Sequence, residues 1–130
     1  MKIVYISSPI SAKDNEELRQ NCRDAINFCE KAYNWGQKSG DTVIPFSPLI
    51  NFPYLDREET HRMGLMTLTE CDEVWFAGQK MTDEMRQDLR IAVQNDIPVM
   101  AMDMDDEKLQ QEIDELPPLL DEFGFIRKKT

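Results

Sequence analysis

The chain has 130 residues, 41% of them hydrophobic and 31% charged, with a formal net charge of −10. That length suits one domain with one core, and no apolar run approaches the roughly 20 residues that a membrane span needs. A surface of this sign repels phosphates, so nucleic acid is not an expected partner; a nucleotide pocket needs only local donors and stays open.

Residues 2–7 are an apolar, β-branched run and predict a first strand. The chain opens on this pattern and not on a charged region followed by a long apolar stretch, so no signal peptide and a cytoplasmic location are expected. Ser8-Pro9-Ile10-Ser11 reads as a loop. Leu18, Cys22, Ala25, Cys29 and Ala32 alternate at spacings of four and three, which predicts a long helix over 15–38. Asp14 or Asn15 can cap its start, and Gly36 or Gly40 can end it. Residues 42–46 form a second strand, followed by a loop containing Pro48 and Pro53. A second helix runs over 57–71, its buried side supplied by Met63, Leu65, Met66 and Leu68, with His61 exposed early in it. Residues 73–77 form a third strand closed by Gly78. A third helix over 82–95 has Thr82 as its N-cap. A fourth strand over 97–102 and a fourth helix over 107–116, stopped by Pro117-Pro118, follow. Residues 123–126 form a short edge strand or a docked tail.

Strands alternating with helices imply an α/β fold: a single-domain, doubly wound, Rossmann- or flavodoxin-like parallel sheet of four to five strands, with helices on both faces. The core covers about 2–116, with a tail over 117–130. The loops over 7–11, 46–54, 78–82 and 103–105 then converge on one sheet edge. Three cysteines without regular spacing argue against a disulfide framework and for a reducing compartment. With one histidine in the chain, a Cys/His zinc cluster is not expected, and no metal or cofactor is anticipated. Trp35 and Trp75 read as core or interface anchors. Between Asp103 and Glu122 there are nine acids and one base, Lys108, which reads as a solvated helix face.

The residue that stands out is Asp88. Met85, Leu89, Ala92 and Val93 recur at helical spacing, and Asp88 lies on the same stripe. A carboxylate among core-facing residues is costly unless it has partners or a task. Its helix follows the carboxyl end of a strand, where open α/β sheets hold their ligands.

Four segments carry a resemblance: Tyr5-Ile6-Ser7-Ser8-Pro9-Ile10, Ile44-Pro45-Phe46-Ser47-Pro48, Cys71-Asp72-Glu73-Val74-Trp75-Phe76-Ala77-Gly78, and Thr82-x-Glu84-Met85-x-x-Asp88-Leu89-x-x-Ala92 followed by Ile97-Pro98-Val99. In order and spacing, over roughly 2–102, the chain resembles the nucleoside 2-deoxyribosyltransferase superfamily, particularly its small bacterial and phage members. The resemblance implies cleavage or exchange of an N-glycosidic bond, with Asp88 as the carboxylate that attacks the anomeric carbon. It implies a nucleoside or nucleotide bound by Tyr5, Ser7, Ser8, Pro9, Ser11, Phe46, Gly78, Thr82 and Met85, and a homo-oligomer, dimeric or larger. Tyr54 joins Tyr5 and Phe46 as a stacking surface for the base, and Thr82 marks a helix N-terminus suited to a phosphate or hydroxyl.

Three positions depart from the family pattern. The nucleophile is Asp88 where Glu is usual, a reach shorter by about 1.5 Å. Glu84 stands where a glycine lets a phosphate approach the backbone. Gly64 stands where characterised members carry a second Asp, with Glu70 or Asp56 as conceivable substitutes. Two further readings therefore stand beside the enzyme: a non-catalytic module that binds or sequesters a nucleotide or ADP-ribose-like ligand, and an acidic protein-interaction module built on the 103–122 face.

Overall fold

In the computed structural model, which describes residues 1–117 with Leu119–Leu120 and Ile126–Arg127, strand β1 (Lys2–Ser7) lies inside the sheet and is buried from Val4 to Ser7. Parallel β2 (Val43–Phe46) pairs on one side, with Ile3 beside Ile44. Parallel β3 (Glu73–Ala77) pairs on the other, with Ile6 beside Trp75, and β4 (Val99–Met102) extends the sheet beyond it. The order is β2-β1-β3-β4, so the winding reverses between β1 and β3. That gap is where doubly wound sheets open a crevice.

Alternation along β1 sends its side chains to two cores. Val4 and Ile6 join Val43, Trp75, Ala77 and Ala32 of helix α1 (Asn15–Ser39). Tyr5 joins Val74 and Phe76 under helices α3 (Arg57–Leu68), α4 (Asp83–Gln94) and α5 (Asp106–Asp114), which contribute Leu68, Met85, Leu89, Ala92 and Leu109. Caps set the helix starts. The Asp14 carboxylate accepts from the Glu17 amide at 2.8 Å, Asp56 from Glu59 at 2.8 Å, and the Thr82 hydroxyl from Met85 at 3.2 Å.

The structure departs from the sequence expectation in three places. Residues Pro48–Asn51, expected as loop, form a one-turn helix α2 with Ser47 at its N-cap. Proline has no amide hydrogen and a fixed φ, both suited to a first helical turn. Helix α3 stops at Leu68, not 71, because the Glu70 and Cys71 amides bond back to Thr67 and Leu68 in a tight turn. The buried side of α3 is Thr60, His61, Gly64 and Leu68, while Met66 is 58% exposed. A short antiparallel pair, β5 (Leu119–Leu120) with β6 (Ile126–Arg127), follows α5. The tail expected over 123–126 lies, apart from Ile126, outside the described residues. Among the described residues no helix is long and apolar enough to cross a membrane.

Candidate functional site

Two neighbouring groups occupy the sheet edge where β1 and β3 end. The first is a buried polar cluster on the α3/α4 side. β1 delivers Ser7 with the same orientation as Tyr5, and α4 turns Asp88 inward with Met85, Leu89 and Ala92. Asp88 is 1% exposed. Ser7 Oγ donates to Asp88 Oδ2 at 2.7 Å, and His61 Nε2 of α3 lies 3.3 Å from Asp88 Oδ1. The carboxylate is central, so the imidazole does not bond to the Ser7 hydroxyl. This is not the serine–histidine–acid order that activates a serine nucleophile.

Burial pushes the Asp88 carboxyl above its ordinary value, against the opposing pull of His61 and Ser7. The hydrogen bond to Asp88 holds the His61 proton above its ordinary value, with burial opposing and Glu84 adding to the effect. Both shifts act in one direction: the pair keeps a proton that the separated groups would release. Nearby, the Tyr5 hydroxyl is buried and finds no hydrogen-bond partner among the described residues, and burial raises its pKa well above normal. A Cβ added to Gly64 would stand 2.7 Å from that hydroxyl.

The second group is an open cleft of about 770 Å³ on the α1 side. Pro9 and Ser11 come from the loop after β1, Gly78, Gln79, Lys80 and Thr82 from the loop after β3, and Asp103 from the end of β4. Gln20, Asn21, Asp24, Phe28 and Lys31 of α1 form the opposite wall. Gly78 has φ +104°, a conformation that lets the loop turn away from β3 directly. Lys31 Nζ binds Asp103 Oδ2 at 2.5 Å, and Lys108 Nζ donates to the Gln79 carbonyl at 2.8 Å. Ser11 joins the cleft to the cluster side: its hydroxyl donates to the Glu84 carboxylate, 2.5 Å from Oε2, and its carbonyl accepts from Asn21. Glu84 thus turns onto the first loop and not away from the protein.

The expected site residues divide three ways. Pro9, Ser11, Gly78 and Thr82 line the cleft. Ser7 and Asp88 form the polar cluster, with Ser8 buried beside them in sequence. Tyr5 and Met85 are core residues with no exposed surface, Phe46 packs 5.8 Å from the Tyr5 ring, and Tyr54 is 77% exposed. Asp88 is absent from the residues lining the cleft. His61, expected on the surface, is 9% exposed and bound to Asp88; the charged run Arg57-Glu58-Glu59 before it reads as a solvated turn, and its partner lies in another helix. Lys31, Lys80 and Asp103 carry no local signal either, because topology alone brings them together. Among the described residues, no group of three or more His, Cys, Asp or Glu side chains is placed to hold a metal ion.

A family model described as a domain of unknown function (DUF7768) matches residues 2–102. The chain belongs to the DUF7768 family. The matched DUF7768 segment runs from β1 to the end of β4 and takes in Ser7, His61, Asp88 and the loops of the cleft. No protein with a curated description matches the chain.

Proposed function

We propose that the protein binds a nucleoside or nucleotide in the cleft between α1 and the ends of β1 and β3. The observation that carries this reading is the position of the cleft: it opens beside the one reversal of strand order in the sheet, walled by the loops that follow both strands. Ser11, Asn21, Gln20 and Lys80 offer hydroxyl, amide and ammonium groups to a polar ligand, and Phe28 offers an aromatic wall. The resemblance to nucleoside 2-deoxyribosyltransferases supports the ligand class. The test is thermal unfolding of the full chain against a panel of nucleosides, nucleotides and ADP-ribose. A ligand at 100 times its dissociation constant adds about 2.7 kcal/mol. No shift with any member of the panel overturns the reading.

A second reading, chemistry on the N-glycosidic bond, is favoured by one observation: a carboxylate kept inward at the sheet edge by Ser7 and His61. Attack on an anomeric carbon requires that His61 or Ser7 give way, because these two groups engage both Asp88 oxygens and the residue is 1% exposed. Free base released from a nucleoside or nucleotide by the wild type, and abolished in a folded Asp88→Asn variant, supports this chemistry. Ligand binding with the ligand recovered intact leaves the binding function alone standing.

A further inference from the structure

The end of β4 presents a carboxylate with one oxygen fixed and the other unpaired. Asp103 follows Met102, the last residue of β4, at φ +55°, in the left-handed region. Contacts from three elements surround it. Lys31 Nζ of α1 binds its Oδ2 at 2.5 Å. Gln79 Nε2, from the loop after β3, donates to the Asp103 carbonyl at 3.4 Å, and Lys108 Nζ of α5 donates to the Gln79 carbonyl at 2.8 Å. No hydrogen bond reaches Oδ1 among the described residues. Asp103 lines the cleft with its side chain 40% exposed.

A flat apolar floor lies one helical turn away. A Cβ on Gly78 would stand 3.7 Å from Phe28 Cζ and 3.9 Å from Pro9 Cδ, so these residues close together at the end of β3. Phe28 and Lys31 are neighbours on one face of α1, about 4.5 Å apart along its axis. The charges then decide what a ligand on that floor can bear. Glu17, Asp24 and Asp103 line the cleft against Lys31 and Lys80, and Lys31 is already paired with Asp103. At the start of α4 the Glu84 carboxylate sits on Ser11. A phosphate meets like charge here, while a hydroxyl meets acceptors.

Resting on the binding reading above, we propose that Asp103 is the specificity residue of the cleft and selects an unphosphorylated ribonucleoside. The base stacks on Phe28 and Pro9, and the unpaired Oδ1 accepts from the ribose 2′-hydroxyl. A carboxylate near a strand end is how other doubly wound sheets take that hydroxyl. Lys31 holds the carboxylate in place and ionised.

Isothermal titration of the full chain with adenosine, guanosine, cytidine and uridine, each beside its 2′-deoxy and 5′-monophosphate counterpart, tests this. The ribonucleoside that binds is expected to do so about tenfold more tightly than either counterpart, the worth of one hydrogen bond to a charged group. Asp103→Gly deletes the carboxylate at a position where glycine is at ease. It is expected to bring the ribo and 2′-deoxy forms to equal affinity and, by releasing Lys31, to tighten the monophosphate. The wild-type ranking carries the test even if that variant does not fold. Equal affinity for the ribo and 2′-deoxy forms, or a tighter monophosphate, in the wild type overturns the assignment and leaves the binding reading standing. So does a folded Asp103→Gly variant with the wild-type preference. Absence of binding by every probe overturns both.

Discussion

The Tyr5 hydroxyl occupies the space that any side chain at position 64 would need. A Cβ on Gly64 would lie 2.7 Å from that oxygen and 2.8 Å from Pro48 Cγ. Position 64 therefore admits no side chain, because β1 and α3 approach too closely there. Gly64→Ala is expected to cost about 1–3 kcal/mol by overpacking. Tyr5→Phe in the same chain recovers only part of that, because Pro48 remains. Urea unfolding of the single and double variants reads both quantities.

Tyr5→Phe alone is expected to leave the melting temperature unchanged or to raise it. The hydroxyl is buried without a partner among the described residues, and deleting such a group removes a desolvation cost without breaking a bond. A fall of several degrees shows that the hydroxyl does have a partner.

His61→Ala is expected to be the most damaging single change at the sheet edge. It strips Asp88 Oδ1 of its neighbour in a site that water does not reach, at a cost of about 3–5 kcal/mol. Ser7→Ala removes the other bond and costs about 1–3 kcal/mol. If the His61 variant unfolds at the wild-type denaturant midpoint, the pair contributes nothing.

Stability is expected to fall as pH rises through the titration of this pair. Asp88 and His61 are both shifted upward, so above an unfolded histidine value of about 6.5 the folded chain holds a proton that the unfolded chain has lost. The His61 contribution is complete below that value and is lost as pH climbs through its raised value in the fold, while the raised Asp88 carboxyl begins to lose its own contribution lower, above an unfolded value of about 3.9. Asp88→Asn removes the coupling, so its melting temperature changes less between about pH 6 and pH 9 than that of the wild type. Parallel curves for the two proteins refute the coupling.

Thr82→Ala is expected to cost about 1 kcal/mol through loss of the N-cap bond to the Met85 amide. Thr82 also lines the cleft. A stability loss with ligand-induced stabilisation intact separates the capping role from ligand contact.

Much of this arrangement is legible in the sequence because the signals are periodic. Leu18, Cys22, Ala25, Cys29 and Ala32 mark α1 almost to its ends, and the alternation of strands and helices gives the doubly wound sheet. The inward position of Asp88 follows from its place between Met85 and Leu89 on one stripe. His61 follows from no such pattern. It sits among Thr60, Arg62 and preceding acids, and its burial is decided by a carboxylate in a different helix. The orientation of α3 was equally hidden, since it is set by the close approach of Gly64 to Tyr5 and not by the methionines along the helix. Ser11 meeting Glu84 is a contact between distant loops that spacing cannot announce.

The two tryptophans meet edge to face, Trp35 on α1 and Trp75 in β3, with ring centroids 5.4 Å apart and the Lys2 ammonium within 5.8 Å of both. They are the only indoles in the chain. Tryptophan emission therefore watches a single seam, the one between the long helix and the sheet. A probe-free optical signal for that helix lifting away is built into the native protein, while events confined to the opposite layer leave it dark.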